Sequence, residues 1–109
     1  MDYQLAFDEE FEEELRNNEK TITVRYGLEY IPDEGEIMEA YCGSYEFTVR
    51  FDSVEMTHIQ QLPIYSFYGD HKEYDSVEEA IEHLQQYYHE ELTAESKVYI
   101  LHFSIIDER

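Results

Sequence analysis

The chain has 109 residues and carries 27 Asp and Glu against 7 Lys and Arg, a formal charge of −20 at pH 7. Apolar residues make up 42% and aromatic residues 16%, which is enough for a hydrophobic core and excludes a disordered acidic chain. The length fits one domain, and the single cysteine, Cys42, excludes an intrachain disulfide and a cysteine-based zinc site.

The acidic residues are spread along the whole chain rather than gathered in a tail. At low salt such a charge repels itself, whereas in molar salt the Debye length falls to about 3 Å and the repulsion is screened. This favours a cytoplasmic protein of a salt-accumulating cell; an acidic interaction protein or a DNA mimic is the alternative.

Neither a signal peptide nor a run of about 20 apolar residues is present, so we expect no membrane association.

The first periodic segment is Phe7–Leu15, in which an apolar residue recurs at every fourth position and acids fill most of the others. This pattern predicts an amphipathic helix with one narrow apolar stripe. The asparagines at positions 17 and 18 predict where that helix ends.

Polar and apolar residues then alternate over Thr21–Tyr26, which predicts a half-buried strand. Thr23 and Arg25 share its polar face. Counting by two puts Lys20 on the opposite face, so the Lys20 and Thr23 side chains meet only if the chain bends where the strand begins.

Two further strands are predicted at Ile37–Tyr41 and Tyr45–Val54, whereas residues 57–74 have an irregular pattern. A Ser-x-x-Glu capping box at positions 76–79 opens the last helix. The apolar segment Lys97–Ile106 predicts a closing strand that is buried on both faces. This order of elements predicts an α+β fold, with a small, mostly antiparallel barrel and helices packed on it.

A chain that almost avoids positive charge keeps two cations within Lys20–Arg25. A buried lysine can act as a base toward a nearby threonine hydroxyl, and the activated threonine can attack an acyl carbon. An arginine can hold a carboxylate, a phosphate or a carbonyl-rich base. The alternative is an ordinary polar strand face, because threonine is common in strands.

The other residues with chemical potential give weaker signals. No two of the five histidines are spaced four apart as on a metalloprotease helix, so we expect no metal site. Tyr65, Tyr68 and Tyr74 could stack on a base, or they could simply pack within their loop.

The run Lys20–Arg25 is followed by Gly35-Glu36-Ile37 and resembles the ASCH domain family. Members of that family carry Gly-x-Lys-Thr-x-Thr-x-Arg and then Gly-Asp-x-Leu at the start of the next strand. Here the Lys-Thr-Ile-Thr-Val-Arg core is intact, whereas Asn18 replaces the first glycine and Gly35-Glu36 replaces Gly-Asp. The resemblance implies a PUA-like, mostly antiparallel β-barrel with two or three flanking helices.

Within that family, the small N4-acetylcytidine amidohydrolases are similar to this chain in size and layout. The resemblance implies that Thr23 attacks the acetyl carbonyl, that Lys20 takes the threonine proton and that Glu73 donates a proton to the leaving amine. Glu78 and Asp70 are alternatives to Glu73.

We expect Thr21, Arg25 and Lys72 to bind the substrate, with no metal or cofactor. The resemblance also allows a second interpretation, a non-catalytic PUA-like module that binds RNA. Seven cations provide little positive charge for binding the phosphate backbone of RNA, which favours a small nucleoside in a pocket. A local patch of Lys20, Arg25, Arg50 and Lys72 would instead favour RNA.

Overall fold

The computed structural model describes residues 3–65 and 73–108. Its five strands are β1 (Gln4–Phe7), β2 (Ile22–Tyr26), β3 (Ile37–Cys42), β4 (Tyr45–His58) and β5 (Lys97–Glu108). Its helices are α1 (Glu12–Arg16), α2 (Val77–Gln85) and two 3-10 helices at Glu9–Phe11 and Ile59–Ile64.

The strands form one sheet in the order β1-β3-β4-β5-β2. Only the β1–β3 pair is parallel, so the predicted α+β class with a mostly antiparallel sheet is confirmed. The sheet curls into a half-barrel rather than closing, and β1 and β2 are its two edges within the described part of the chain.

The curl of the sheet originates in its longest strand, β4, which pairs with β3 on one side and β5 on the other. The register between β4 and β5 shifts between Thr48 and Val49 and again between Phe51 and Ser53. Such irregularities bend a strand and increase its twist. The bend turns the two edge strands toward each other.

The two faces of the sheet bury separate hydrophobic clusters. The concave face holds a cluster that includes Leu5, Phe7, Leu15, Phe47, Phe51, Leu101 and Phe103. The convex face packs on α2 and the second 3-10 helix through Ile22, Val24, Ile59, Leu84, Val98 and Ile100. Strand β5 contributes to both clusters, which confirms the prediction that its two faces are buried.

The N-terminal helix prediction is wrong at its start. Gln4–Phe7 is a strand that pairs in parallel with β3, and the α-helix begins only at Glu12. Leu5 and Phe7 lie two residues apart and both reach the concave core, because alternate side chains of a strand point to the same face of the sheet. The segment 57–74 is also more regular than predicted, because β4 continues to His58 and Ile59–Ile64 is a 3-10 helix.

Helix α2 begins at the predicted capping box. The Ser76 side chain accepts a hydrogen bond from the backbone N–H of Glu79 at 3.1 Å. Ala80 and Leu84 then face the convex cluster and are almost completely buried. This packing places the last turn of α2 beside the edge strand β2.

Candidate functional site

A cavity of about 500 Å³ lies at the open side of the half-barrel, between the edge strands β1 and β2. Helix α1 and the C-terminal end of α2 form its other walls. The described residues that line it are Ala6, Phe7, Asp8, Phe11, Glu14, Lys20, Thr23, Val24, Arg25, His83, Leu84, Tyr87 and Tyr88. Three of the residues predicted from sequence, namely Lys20, Thr23 and Arg25, therefore share one cavity.

Lys20 reaches the cavity because the chain bends before β2. Asn18 has a positive φ of 58°, a left-handed conformation that asparagine tolerates better than most residues. The backbone N–H groups of Glu19 and Lys20 then both bond to the carbonyl of Glu14. The Lys20 side chain is only 4% exposed, and its Nζ donates to the Ile22 carbonyl at 2.9 Å and lies 4.5 Å from the Phe11 ring centroid.

Thr23 and Arg25 occupy the same face of β2, as the alternation predicts. Thr23 is 6% exposed, and the Arg25 Nε–H donates to its Oγ1 at 2.9 Å. The Arg25 guanidinium lies 4.8 Å from the Phe7 ring centroid, and burial lowers the pKa of this group. Within the described ranges, no carboxylate lies within ion-pair distance of Arg25.

A tyrosine and histidine cluster forms the wall on the α2 side. The Tyr74 hydroxyl and His83 Nδ1 are 2.7 Å apart, and the Tyr87 ring meets the His83 ring edge-on at 5.9 Å. The Tyr87 hydroxyl donates to the Glu10 carboxylate. Burial raises the pKa of both Tyr74 and Tyr87, so both phenols are protonated at neutral pH. Tyr74 packs in the convex core. This agrees with the interpretation that it serves packing rather than stacking on a base.

The other predicted site residues lie elsewhere. Thr21 is exposed, and its carbonyl accepts a bond from the Phe103 N–H on β5. Glu73 is exposed and is not among the lining residues, and its alternative Glu78 is exposed in the first turn of α2. Lys72 and the second alternative, Asp70, lie outside the described residues.

Sequence reasoning missed the carboxylates that do line the cavity, Asp8 and Glu14, as well as His83 on α2 and Tyr87 and Tyr88 just after its end. One glutamate among 27 acidic residues carries no signal of its own. These three residues reach the cavity only because α2 and the turn after it pack beside β2. Their spacing in the sequence does not indicate that contact.

Two negative findings concern metals and membranes. Across residues 3–65 and 73–108, no three His, Cys, Asp or Glu side chains are grouped so that they could hold a metal ion. No helix in that same part of the chain is long and apolar enough to cross a bilayer.

Comparisons with known proteins identify no relative. The chain matches no protein-family model, and no curated protein and no solved structure is significantly similar to it.

Proposed function

We propose that this protein is an amidohydrolase of the ASCH type, with a PUA-like barrel, that removes the acetyl group of N4-acetylcytidine. The observation that carries the proposal is the burial of both Lys20 and Thr23 in the lining of one cavity, despite their opposite faces by simple counting. An amine and an alcohol that are both withdrawn from water in one pocket suit nucleophilic acyl transfer.

The size and walls of the cavity support a nucleoside as ligand. A volume of about 500 Å³ lies within the usual range for small-molecule sites. Phe11 and Tyr87 supply flat apolar surfaces against which a base can stack. A free nucleoside carries no phosphate, so a protein with a charge of −20 does not repel it as it would a long RNA.

In the proposed reaction, the Thr23 Oγ1 bonds to the acetyl carbon while the neutral Lys20 amine accepts the hydroxyl proton. The tetrahedral intermediate breaks its C–N4 bond, and the departing amine takes a proton to give cytidine. Water then hydrolyses the acetyl ester on Thr23, releasing acetate and restoring the hydroxyl. The Arg25 Nε–H, already bonded to Thr23 Oγ1, would hold that oxygen in place and favour its charged form.

The donor of the proton to the leaving amine is open to a direct test. The family resemblance assigns this role to Glu73, whereas Glu14 is a carboxylate in the described lining of the cavity. We expect one of the variants Glu73→Gln and Glu14→Gln to lower turnover at least tenfold, since general acid catalysis contributes roughly a hundredfold or more. Full activity in both variants would remove carboxylate assistance from the mechanism.

The main test is turnover of N4-acetylcytidine by the purified protein in molar KCl, with cytidine formation followed by chromatography. Thr23→Val should abolish it, because the nucleophile is lost while the shape of the side chain is kept. Thr57→Val is the matched control: Thr57 is a buried strand threonine, 3% exposed, whose hydroxyl bonds to Gln61 away from the cavity. An active Thr23→Val variant would reject Thr23 as the nucleophile, and an inert folded wild type would reject the proposal.

A non-catalytic module that binds RNA is the second candidate. The hydrogen bonds from Lys20 to the Ile22 carbonyl and from Arg25 to Thr23 favour it, because they give these side chains a positioning role without any proton transfer. Titration of short labelled RNA at several KCl concentrations tests this candidate. RNA binding without turnover would favour the module, and a flat response would remove it.

We also place the protein in the cytoplasm of a cell that accumulates salt. The dispersed acidic residues and the free, buried thiol of Cys42 support this location.

A further inference from the structure

The backbone N–H and C=O groups of the edge strand β2 point in two directions, some toward β5 and the others away from it. The Thr21 carbonyl bonds to the Phe103 N–H on β5, and the Tyr26 N–H bonds to the Tyr88 hydroxyl on the far side. Successive residues of an antiparallel strand direct their N–H and C=O groups alternately to either side. Ile22, Val24 and Tyr26 therefore direct their backbone groups away from β5, toward the cavity.

Side chains cover this edge on both sides of Val24. The Lys20 Nζ donates to the Ile22 carbonyl at 2.9 Å, and the Tyr88 hydroxyl accepts from the Tyr26 N–H at 3.0 Å. Between them, the Val24 N–H and C=O have no hydrogen-bond partner on this side among the described residues. Val24 is 5% exposed and lines the cavity, so this donor and acceptor are an unsatisfied pair in a nearly buried site.

We propose that the Val24 N–H and C=O bind the base of the ligand through its hydrogen-bonding edge, which selects cytosine over uracil. This inference rests on the proposed function. The backbone N–H would donate to the ring N3, and the carbonyl would accept from the N–H on N4, which survives acetylation. A group with an acceptor beside a donor satisfies both backbone atoms at once.

The flanking side chains restrict what can bind at this edge. A peptide that added to β2 as a further strand would need the Ile22 C=O and the Tyr26 N–H as well, and Lys20 and Tyr88 already occupy these two groups. The Val24 donor and acceptor lie between the two covered groups, which suits a small planar ring better than a strand. The adjacent Phe11 and Tyr87 supply the apolar surfaces that a ring requires.

The test is amide hydrogen exchange by NMR on the 15N-labelled, full-length protein, with cytidine as the probe. We expect the Val24 amide to exchange at least tenfold more slowly when cytidine is bound. The Thr23 amide, which faces β5, is the internal control and should stay protected throughout. A 3-deazacytidine probe, in which carbon replaces ring N3, should bind about tenfold more weakly than cytidine, because the Val24 N–H then loses its acceptor.

The variant Val24→Pro removes the N–H, and proline is tolerated at outward-facing positions of edge strands. It should bind cytidine and 3-deazacytidine equally; if it does not fold, the exchange measurement decides alone. Cytidine binding that leaves Val24 exchange unchanged overturns this inference, and so does a failure to bind cytidine by protein that converts N4-acetylcytidine. Neither result requires a loss of turnover, so the inference and the proposed activity fail separately.

Discussion

At the scale of single residues, Arg25 connects the wall of the cavity to its reactive group. Its guanidinium lies against the Phe7 ring and donates one N–H to Thr23. Burial lowers its pKa, yet a guanidinium remains charged at any pH near neutral. No carboxylate in the described part of the chain forms an ion pair with it, and under the proposed function its other N–H groups would bind a carbonyl oxygen of the ligand.

We expect Arg25→Lys to lower turnover of N4-acetylcytidine at least tenfold while the protein remains folded. A lysine keeps the charge but lacks the planar group that donates to Thr23 and stacks on Phe7. Steady-state kinetics and circular dichroism measure the two effects. Arg50→Lys is the control, because Arg50 is exposed, pairs with Asp52 and does not line the cavity as far as the structure describes it. Equal activity in both variants would deny Arg25 a role in the site.

The buried tyrosines predict a loss of stability in alkali. Burial, together with a hydrogen bond to Glu108, raises the pKa of Tyr45 from 10.0 to about 12. Between these two values the unfolded chain loses the phenolic proton and the folded protein keeps it, so the free energy of unfolding falls as pH rises.

Urea titrations at pH 9, 10 and 11 measure this fall. Tyr45→Phe should make the pH dependence shallower, since it removes one such group. Tyr41→Phe changes an exposed tyrosine on β3 and should leave the dependence as it is. An unchanged slope in Tyr45→Phe would contradict the assignment to Tyr45.

At the scale of elements, α2 matters because its last turn carries His83 and Leu84 into the cavity wall. Its start is fixed by the Ser76 hydroxyl, which bonds to the Glu79 N–H. The helix has nine residues, too few to be stable alone, so it depends on this cap and on its packing.

Ser76→Ala should therefore lower the free energy of unfolding by about 1 kcal/mol, the usual cost of removing an N-cap side chain. Denaturant titration gives the value. Ser44→Ala serves as the control, because Ser44 lies in the exposed turn between β3 and β4. A loss of the same size in both variants would show that the cap contributes nothing specific.

The elements also show what a sequence can and cannot predict. Strands β2 and β5 and the cap of α2 follow from local alternation and from a short motif, and all three are confirmed. The Phe7–Leu15 helix fails because the pairing of Gln4–Phe7 with β3 depends on contacts distant in sequence, which local spacing does not contain.

The same limit applies to the site. The residue types of Lys20 and Thr23 point to a site, but the bend that brings Lys20 into the same cavity as Thr23 depends on the left-handed backbone at Asn18. Glu14 and His83 reach the cavity only through the packing of their helices. No pattern along the chain indicates that packing.

At the scale of the whole molecule, the charge of −20 outweighs the attractive pairs. In the described ranges the ion pairs are Arg16 with Glu12 and Arg50 with Asp52, both at least two-fifths exposed. Exposed pairs of this kind contribute little, at most about 1 kcal/mol each. Repulsion among the acidic residues is therefore the main long-range electrostatic effect on stability.

We expect the free energy of unfolding to rise as KCl increases from 0.1 M to 1 M, because the Debye length shrinks from about 10 Å to about 3 Å. Urea titration at each salt concentration measures it. A variant with four exposed glutamates changed to glutamine should respond less steeply; suitable positions are Glu13, Glu34, Glu46 and Glu82. Identical salt responses in the variant and the wild type would rule out repulsion as the cause.

The gap between β1 and β2 also has a consequence for how copies of this chain behave toward one another. An uncovered sheet border is a template on which a second molecule can build intermolecular β-structure, the first step toward aggregates. Lys20 and Tyr88 occupy backbone positions that such a neighbour would need. The same two side chains therefore oppose aggregation, and losing both would expose an unpaired strand edge to neighbouring molecules.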